Sequence, residues 1–495
     1  MASEVGKVGI VGAGAMGSGI AQVAATGGLQ VYLFDVASGA AARACKQIAD
    51  RFAKRVEQGK MPADQAEQIC ARLNPCDALE QLSACDLVVE AIVEDLGVKT
   101  KLFQQLESIV RADAILASNT SSLPIGSIAA ACQHKARIAG LHFFNPVPLM
   151  QLVEVIPGPA TQAQVVDRLV KVSQQMGRVP VVVKDSPGFL VNFGGRAYPT
   201  EALAITHETI ATPAQVDAVM RDAYGFRMGP FELMDLTGMD VNFPVTRFIH
   251  EQFFADPRLR STPQHRYLLD TRQLGRKTGQ GFYTHSDQAE VLSADAHSSA
   301  AAATRAFVPD AEPVLLDLLS ELGFDCLSAD DGASPTIIAP LGEDCTAYAV
   351  RTGLDYRRIV AIDTLGKLDQ RLTLMCAPGV DALLRDAVIA RLQTGRKITL
   401  INDSPGFIGQ RIAAMVANLG CEMAQTGVAS PHDIDQAMRL GLNYPMGPLQ
   451  MADHFGLQRL LGILETVQAI TGDDRYRPSQ WLRRRALLGL PAHAQ

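Results

Sequence analysis

The residue in this sequence best placed to do chemistry is His142. It stands in Gly140-Leu-His-Phe-Phe-Asn-Pro-Val-Pro148, directly after the short apolar run 138–141. That run has the composition of a buried strand, and Asn145-Pro146 and Pro148 prevent its continuation as strand or helix. A histidine at the carboxyl end of a strand, followed by a rigid turn, sits where open α/β sheets carry out reactions. Its imidazole can take or give a proton near neutral pH. The same histidine could instead be a core residue bonded to a backbone carbonyl. The choice between the two depends on what precedes it.

The preceding segment begins with Lys7-Val-Gly-Ile-Val11, a strand-like run, and continues into Gly12-Ala-Gly-Ala-Met-Gly17. Residues 18–25 have helical composition, Gly27-Gly28 stop them, and Leu29–Phe34 form a second strand ending at Asp35. The three glycines of the loop do different things. Gly12 permits a tight turn, Gly14 lets a pyrophosphate approach the backbone, and Gly17 lets helix and strand pack closely. Ala15 and Met16 complete the loop, whose phosphates meet the free N–H groups of the new helix. Asp35 would accept the ribose hydroxyls of NAD and repel a 2′-phosphate, and no arginine follows before Arg43. The expected cofactor is therefore NAD, bound to a doubly wound, Rossmann-type sheet.

Bulk properties exclude several classes. The 495 residues suggest about three domains. The net charge of −7 is spread with mixed sign, giving no basic face for nucleic acid. No apolar stretch approaches the ~18 residues of a membrane span. The N-terminal residues lead straight into the first strand, leaving no room for a signal peptide. Nine scattered cysteines without a C-x-x-C pair point to a reducing, cytoplasmic compartment and to no metal site.

Other segments fill out the N-terminal domain. Residues 38–73 have the pattern of a helical hairpin broken near Gly59-Lys-Met-Pro62. Lys54, Arg55 and Lys60 gather at its tip, either as a solvated face or as a clamp for a phosphorylated handle on the substrate. Residues 86–93 form another buried strand, followed by Glu94 and Lys99. Residues 114–118 form the next, running into Asn119-Thr-Ser-Ser122. That polar cluster either faces the same edge as Gly12 and His142 or simply caps a helix.

These motifs in this order, G-A-G-A-M-G-S-G-I-A, V-V-E-A-I-V-E-D, S-N-T-S-S-L, G-L-H-F-F-N-P-V-P, L-V-E-V-I and D-S-P-G-F-L-V-N, resemble the L-3-hydroxyacyl-CoA dehydrogenase family from residue 5 to about 285. The resemblance implies a dinucleotide-binding domain joined to an all-helical domain that dimerises and closes the site. The implied reaction is NAD-dependent oxidation of the 3-hydroxyl of an acyl-CoA. His142 would be the base and Glu154 the acid that orients it. A carboxylate between apolar neighbours at 152–156 would be costly without such a partner, although a strand-edge surface charge is the alternative. Ser121 and Asn192 would contact the substrate oxygen, Asn192 from the second domain, where it would sense closure. Glu94, Lys99 and Asn119 would lie along the cofactor, with Lys277 reaching back to it. Long, duplicated members resemble bacterial enzymes for 3-hydroxybutyryl-CoA or 3-hydroxyadipyl-CoA, the latter in phenylacetate breakdown. Two rivals are a dehydrogenase of a free hydroxy or sugar acid and a non-enzymatic NAD-binding structural protein.

One departure concerns Asn192-Phe-Gly-Gly-Arg196, where many members carry arginine directly after the asparagine. Arg196, four residues on, could bind an anion such as a distal substrate carboxylate, or be an exposed helix arginine. The remainder is an internal repeat. Asp185-Ser-Pro-Gly-Phe, Met228-Gly-Pro and Asp235 recur as Asp403-Ser-Pro-Gly-Phe, Met446-Gly-Pro and Asp453, each pair 218 residues apart (185 to 403, 228 to 446, 235 to 453). The expected domains are 1–184 (NAD-binding, with the hairpin), 185–285 (helical), 286–400 (a linker at 293–304 and a degenerate Rossmann remnant) and 401–495 (a second helical copy). Residues 359–363 and 372–376 echo the strands of His142 and Glu154, with Asp363 near the histidine's place and Gln410 at that of Asn192. The second copy would then cover the first one's apolar face as an internal pseudo-dimer, with pairing of two chains an additional possibility.

Overall fold

The computed structural model describes residues 5–286 and 294–494. The lead-in at residues 1–4 and the opening of the linker, Ser293 included, lie outside the described residues. The chain forms two compact units, Met1–Phe193 with Thr426–Leu442, and Gly194–Gln425 with Asn443–Gln495.

The first unit is built on an eight-stranded sheet. Its strands are β1 (Lys7–Val11), β2 (Gln30–Phe34), β3 (Leu73–Cys76), β4 (Leu87–Glu90), β5 (Ile115–Ser118), β6 (Ile138–Phe143), β7 (Leu152–Pro157) and β8 (Val179–Val182). Their order is β3-β2-β1-β4-β5-β6-β7-β8, parallel except for β6 against β7. The chain leaves β1 toward β2 and leaves β4 toward β5, so the order reverses between β1 and β4. Such a reversal opens a crevice at the strands' carboxyl ends. Strands β4 to β6 are buried along their whole length, as expected where helices cover both faces. The hairpin expected at 38–73 is present as helices Ala40–Glu57 and Ala63–Cys70. Ile48 and Phe52 on one face of the longer helix join the core cluster.

The prolines at 146 and 148 turn the chain back, which is why β6 and β7 run antiparallel. Their register sets His142 directly across from Glu154. Opposed residues of an antiparallel pair share a face at about 5 Å, so the fold creates this pair without help from any loop.

The second unit holds most of both helical copies and a six-stranded sheet, while residues 426–442 of the second copy fall in the first unit. Its strands are β9 (Arg305–Phe307), β10 (Asp325–Leu327), β11 (Thr336–Ile338), β12 (Ile359–Ile362), β13 (Arg371–Met375) and β14 (Lys397–Ile401). They are ordered β10-β9-β11-β12-β13-β14 and are parallel except for β12 against β13. The last three thus repeat the pattern of β6, β7 and β8. The Asp363 N–H donates to Thr373 O at 3.0 Å. Continuing that register places Thr364 across from Leu372, the counterpart of Glu154. Asp363 therefore falls one residue short of the histidine's place.

The repeat has a physical content. Asp185 accepts the N–H groups of Ile125 and Gly126 at 2.9 and 2.8 Å, and Asp403 accepts those of Cys345 and Thr346 at 2.7 and 3.0 Å. Both aspartates satisfy the open start of a helix. Helices Ala197–His207 and Ile408–Gln425 pack together across the two copies. Arg411, in the place corresponding to Phe193, is fully buried there. It donates to Glu201 at 2.8 Å, Glu208 at 2.7 Å and Tyr476 Oη at 2.5 Å. Removing one partner of a buried ion pair leaves the other charge uncompensated. Arg411→Met is therefore expected to lower the unfolding free energy by about 3–5 kcal/mol, measured by urea denaturation.

Candidate functional site

The glycine loop stands at the strand-order reversal. Gly12 has φ +105°, and a Cβ there would lie 2.4 Å from the carbonyl oxygen of Ala91. A Cβ on Gly17 would lie 1.7 Å from Gly12 O, so strand and helix meet at a distance only glycine allows. At Gly14 a Cβ would meet nothing within 4 Å, and this residue is the N-cap of helix Ala15–Thr26. The cap bears no side chain and the first turn no acid, so the helix's partial positive charge faces outward beside open space. Those features fit a pyrophosphate. Asp35 follows β2, and its Oδ2 accepts the Ala13 N–H at 2.7 Å while Oδ1 accepts that of Ala37 at 2.9 Å. The acid expected to meet a ribose therefore also braces the loop.

A second cluster joins β4, β5 and the following loop. Lys99 is buried, and its Nζ lies 2.6 Å from Glu90 Oε1 and 3.2 Å from Glu94 Oε2. Ser118 Oγ donates to the other oxygen of Glu90 at 2.6 Å. Glu94 Oε1 accepts Thr120 Oγ1–H at 2.6 Å, the Ser121 and Ser122 N–H groups at 3.0 and 3.2 Å, and Ser122 Oγ–H at 3.1 Å. Burial opposes the charge on Glu94, but Thr120, Lys99 and Ser121 together outweigh it and hold the carboxyl below its usual range. Asn119 ties the cluster to the histidine strand, its Oδ1 accepting the Phe143 N–H at 2.8 Å. Glu90 and Ser118 were not expected from sequence, while Thr120 was part of the polar cluster at 119–122. The acid in the apolar run Val88-Val-Glu-Ala91 raises the same question as Glu154, namely which cation pairs with it.

At the dyad, His142 Nδ1 lies 2.6 Å from Glu154 Oε2, and the two side chains are 7% and 1% exposed. That burial excludes the surface-charge alternative for Glu154. Its other oxygen accepts the N–H groups of Leu190 and Val191 at 3.1 and 2.9 Å. Phe144 and Phe189 flank the imidazole, with ring centroids 4.5 and 6.0 Å away. A carboxylate can only accept, so the ring donates through Nδ1, and in the neutral tautomer this leaves Nε2 as the acceptor. Asn192 Nδ2 donates to Ser121 O at 3.3 Å.

Some expected placements require correction. Asn192 lies in the short helix Val191–Gly194 and belongs to the first unit. It stands beside the amides that hold Glu154. Arg196 does not continue Asn192's helix, because a break precedes helix Ala197–His207. It is also buried, donating to Thr246 Oγ1 at 2.8 Å, which rules out an exposed helix arginine. Lys277 is in the second unit, its Nζ 2.7 Å from Asp240 Oδ1 in an exposed pair. Lys54, Arg55 and Lys60 are exposed at the end of the hairpin.

Residues 7–186 match the family model for the 3-hydroxyacyl-CoA dehydrogenase NAD binding domain, and residues 188–285 and again 406–493 match that for the C-terminal domain. The chain belongs to the 3-hydroxyacyl-CoA dehydrogenase family. The twofold match shows that the C-terminal domain is duplicated. The 3-hydroxyadipyl-CoA dehydrogenase of Escherichia coli K12 is 40% identical over 99% of both chains. A probable 3-hydroxybutyryl-CoA dehydrogenase of Bacillus subtilis is 37% identical over 58% of this chain and 99% of its own. The crystal structure of 3-hydroxybutyryl-CoA dehydrogenase from E. coli K12 substr. MG1655 superposes with a TM-score of 0.88 at 38% identity, covering 98% of this chain and 99% of that one. Among the described residues no helix is long and apolar enough to cross a membrane.

The two loop glycines allow folding and cofactor binding to be separated. Gly14→Ala should leave stability within about 0.5 kcal/mol and raise the NADH dissociation constant roughly tenfold, as for one lost charge-assisted hydrogen bond. Gly17→Ala should lower Tm as well, since its methyl has nowhere to go. Thermal melts and NADH fluorescence titration measure both.

Proposed function

We propose that this dehydrogenase oxidises L-3-hydroxyacyl-CoA with His142 as general base and Glu154 as its orienting partner. The observation that carries the assignment is the buried 2.6 Å pair whose carboxylate is also held by two backbone amides. Gly12, Gly14, Ala15, Met16, Gly17 and Asp35 would hold NAD, with Glu94, Lys99 and Asn119 shaping the adjoining loop and Lys277 as a further contact. Bound NAD would accept the hydride from C3. His142 Nε2 removes the hydroxyl proton, and the imidazolium that forms is stabilised by Glu154 through Nδ1–H. The two amides on Glu154 hold it in place, so the proton transfer needs no reorganisation of the carboxylate. Ser121 and Asn192 would hydrogen-bond the substrate oxygen and keep C3 oriented.

The CoA handle would lie toward Lys54, Arg55 and Lys60, three exposed cations suited to its phosphates. We favour a short or dicarboxylic acyl group. The E. coli relative that matches the whole duplicated chain is named for 3-hydroxyadipyl-CoA, while the half-length Bacillus relative is named for 3-hydroxybutyryl-CoA. Nine cysteines without a disulfide suit a cytoplasmic setting. The pairing of the two helical copies within one chain takes the place of one dimer interface, and self-association of whole chains would use other surfaces.

NADH formation from a panel of 3-hydroxyacyl-CoA thioesters beside the free acids tests the substrate class. Activity confined to the free acids would overturn it. His142→Ala is expected to cut kcat by at least ~10² with NADH affinity unchanged, and a small effect would remove His142 as the base.

A further inference from the structure

The second helical copy does more than cover an apolar face. Its helix Pro431–Leu442 belongs to the first unit, packed against β7 and β8. The Lys184 N–H, just past β8, donates to Val428 O at 2.7 Å and anchors the segment. The second unit contains the matching arrangement. There the Asn402 N–H, just past β14, donates to Ile210 O at 3.0 Å, and helix Pro213–Asp222 packs against β13. Each of these residues is 218 positions from its counterpart (184 and 402, 210 and 428). The two copies have thus exchanged arms, each lying on the other's sheet.

The ends of the arms differ in a telling way. In the second unit the arm ends in Ala223-Tyr224. The Tyr224 Oη donates to Asp363 at 2.9 Å, and Gln410 Nε2 donates to the other oxygen of that aspartate at 3.0 Å. The ring is admitted because residue 409 is glycine, where a Cβ would lie 1.8 Å from the ring. The degenerate site is therefore filled by the arm. In the first unit the arm ends in Gly441-Leu442, the counterparts of Ala223-Tyr224. The close approach here is made by Gly441, and the counterpart of Gly409 is Val191. A Cβ on Gly441 would lie 3.1 Å from Leu152 Cδ2 and from both methyl groups of Val191. Leu152 is in the strand of Glu154, the Val191 N–H donates to Glu154 Oε1, and the next residue is Asn192.

We propose that Gly441 of the second copy is a positioning residue for the first copy's active site. It lets the arm close against Val191 and so holds the amide that orients Glu154 on His142. This inference rests on the assignment of His142 and Glu154 given above. It makes the second copy a working part of the first copy's site and assigns a function to the absence of a side chain at 441.

The test uses the full-length enzyme. Gly441→Val should push Val191 and the amide on Glu154 out of place. It should lower kcat on the order of tenfold while KM for NAD stays within about twofold. Because the effect acts through Glu154, it should largely vanish when Gly441→Val is combined with Glu154→Gln, which a merely structural loss would not do. Gly441→Ala serves if the valine variant fails to fold. Alanine is the better helix former, so a fall in kcat without a fall in Tm points to the contact with Val191. Unchanged kcat in a folded variant, or a full additional loss in the Glu154→Gln background, overturns the proposal. If Gly441 variants are fully active while His142→Ala is inactive, only the arm's role is lost. If His142→Ala is active, the base assignment itself fails.

Discussion

The arrangement of the first unit depends on one buried carboxylate that has to be satisfied on both sides. Glu154 is almost wholly inaccessible, and a bare carboxylate in that position would be strongly unfavourable. One oxygen meets His142, and the other meets two backbone amides at the start of the segment leading to Asn192. These three contacts tie together a sheet strand, its antiparallel neighbour and the chain leaving the sheet. Stability and the proposed catalysis make the same demand here, since the groups that neutralise Glu154 also hold the imidazole beside it.

The glycine loop and the Lys99 cluster follow the same logic. Asp35 holds an amide of the loop whose shape the cofactor requires. Lys99 is buried between Glu90 and Glu94, and Glu94 gathers the amides and hydroxyls of 120–122 around one oxygen. Asn119 carries this order across to Phe143, beside the histidine. The polar groups at the strands' carboxyl ends are largely bonded to one another, so the edge is held in shape by the protein itself. That is the preorganisation which electrostatic catalysis needs.

Duplication allowed the second copy to lose its chemistry and keep its packing. Its aspartate still caps a helix, its strands still pair as β6 to β8 do, and its arm still lies on the other copy's sheet. One residue short of the place where a base would stand is a buried aspartate bonded to Tyr224 and Gln410. Arg411, at the corresponding place to Phe193, has become the centre of a buried ionic cluster within the helical unit. At the matching positions 409 and 191 the halves differ, glycine admitting the Tyr224 ring in one and valine packing against Gly441 in the other.

Much of this was legible from residue types and spacing. The strand, glycine turn, helix, strand and Asp35 follow one another locally, because helix starts and tight turns are determined by near neighbours. The prolines after His142 and the repeat at a constant offset were equally plain. What the sequence could not decide was which distant groups share a buried charge. Whether Glu90 pairs with Lys99, whether Arg196 is buried and whether Asn192 stays with the sheet depend on contacts between segments far apart in the chain. The exchange of arms is of the same kind. Two copies of one pattern can pack onto their own sheets or onto each other's with the same local preferences, and only the tertiary structure, by burying residues 426–442 against the first sheet, selects between them.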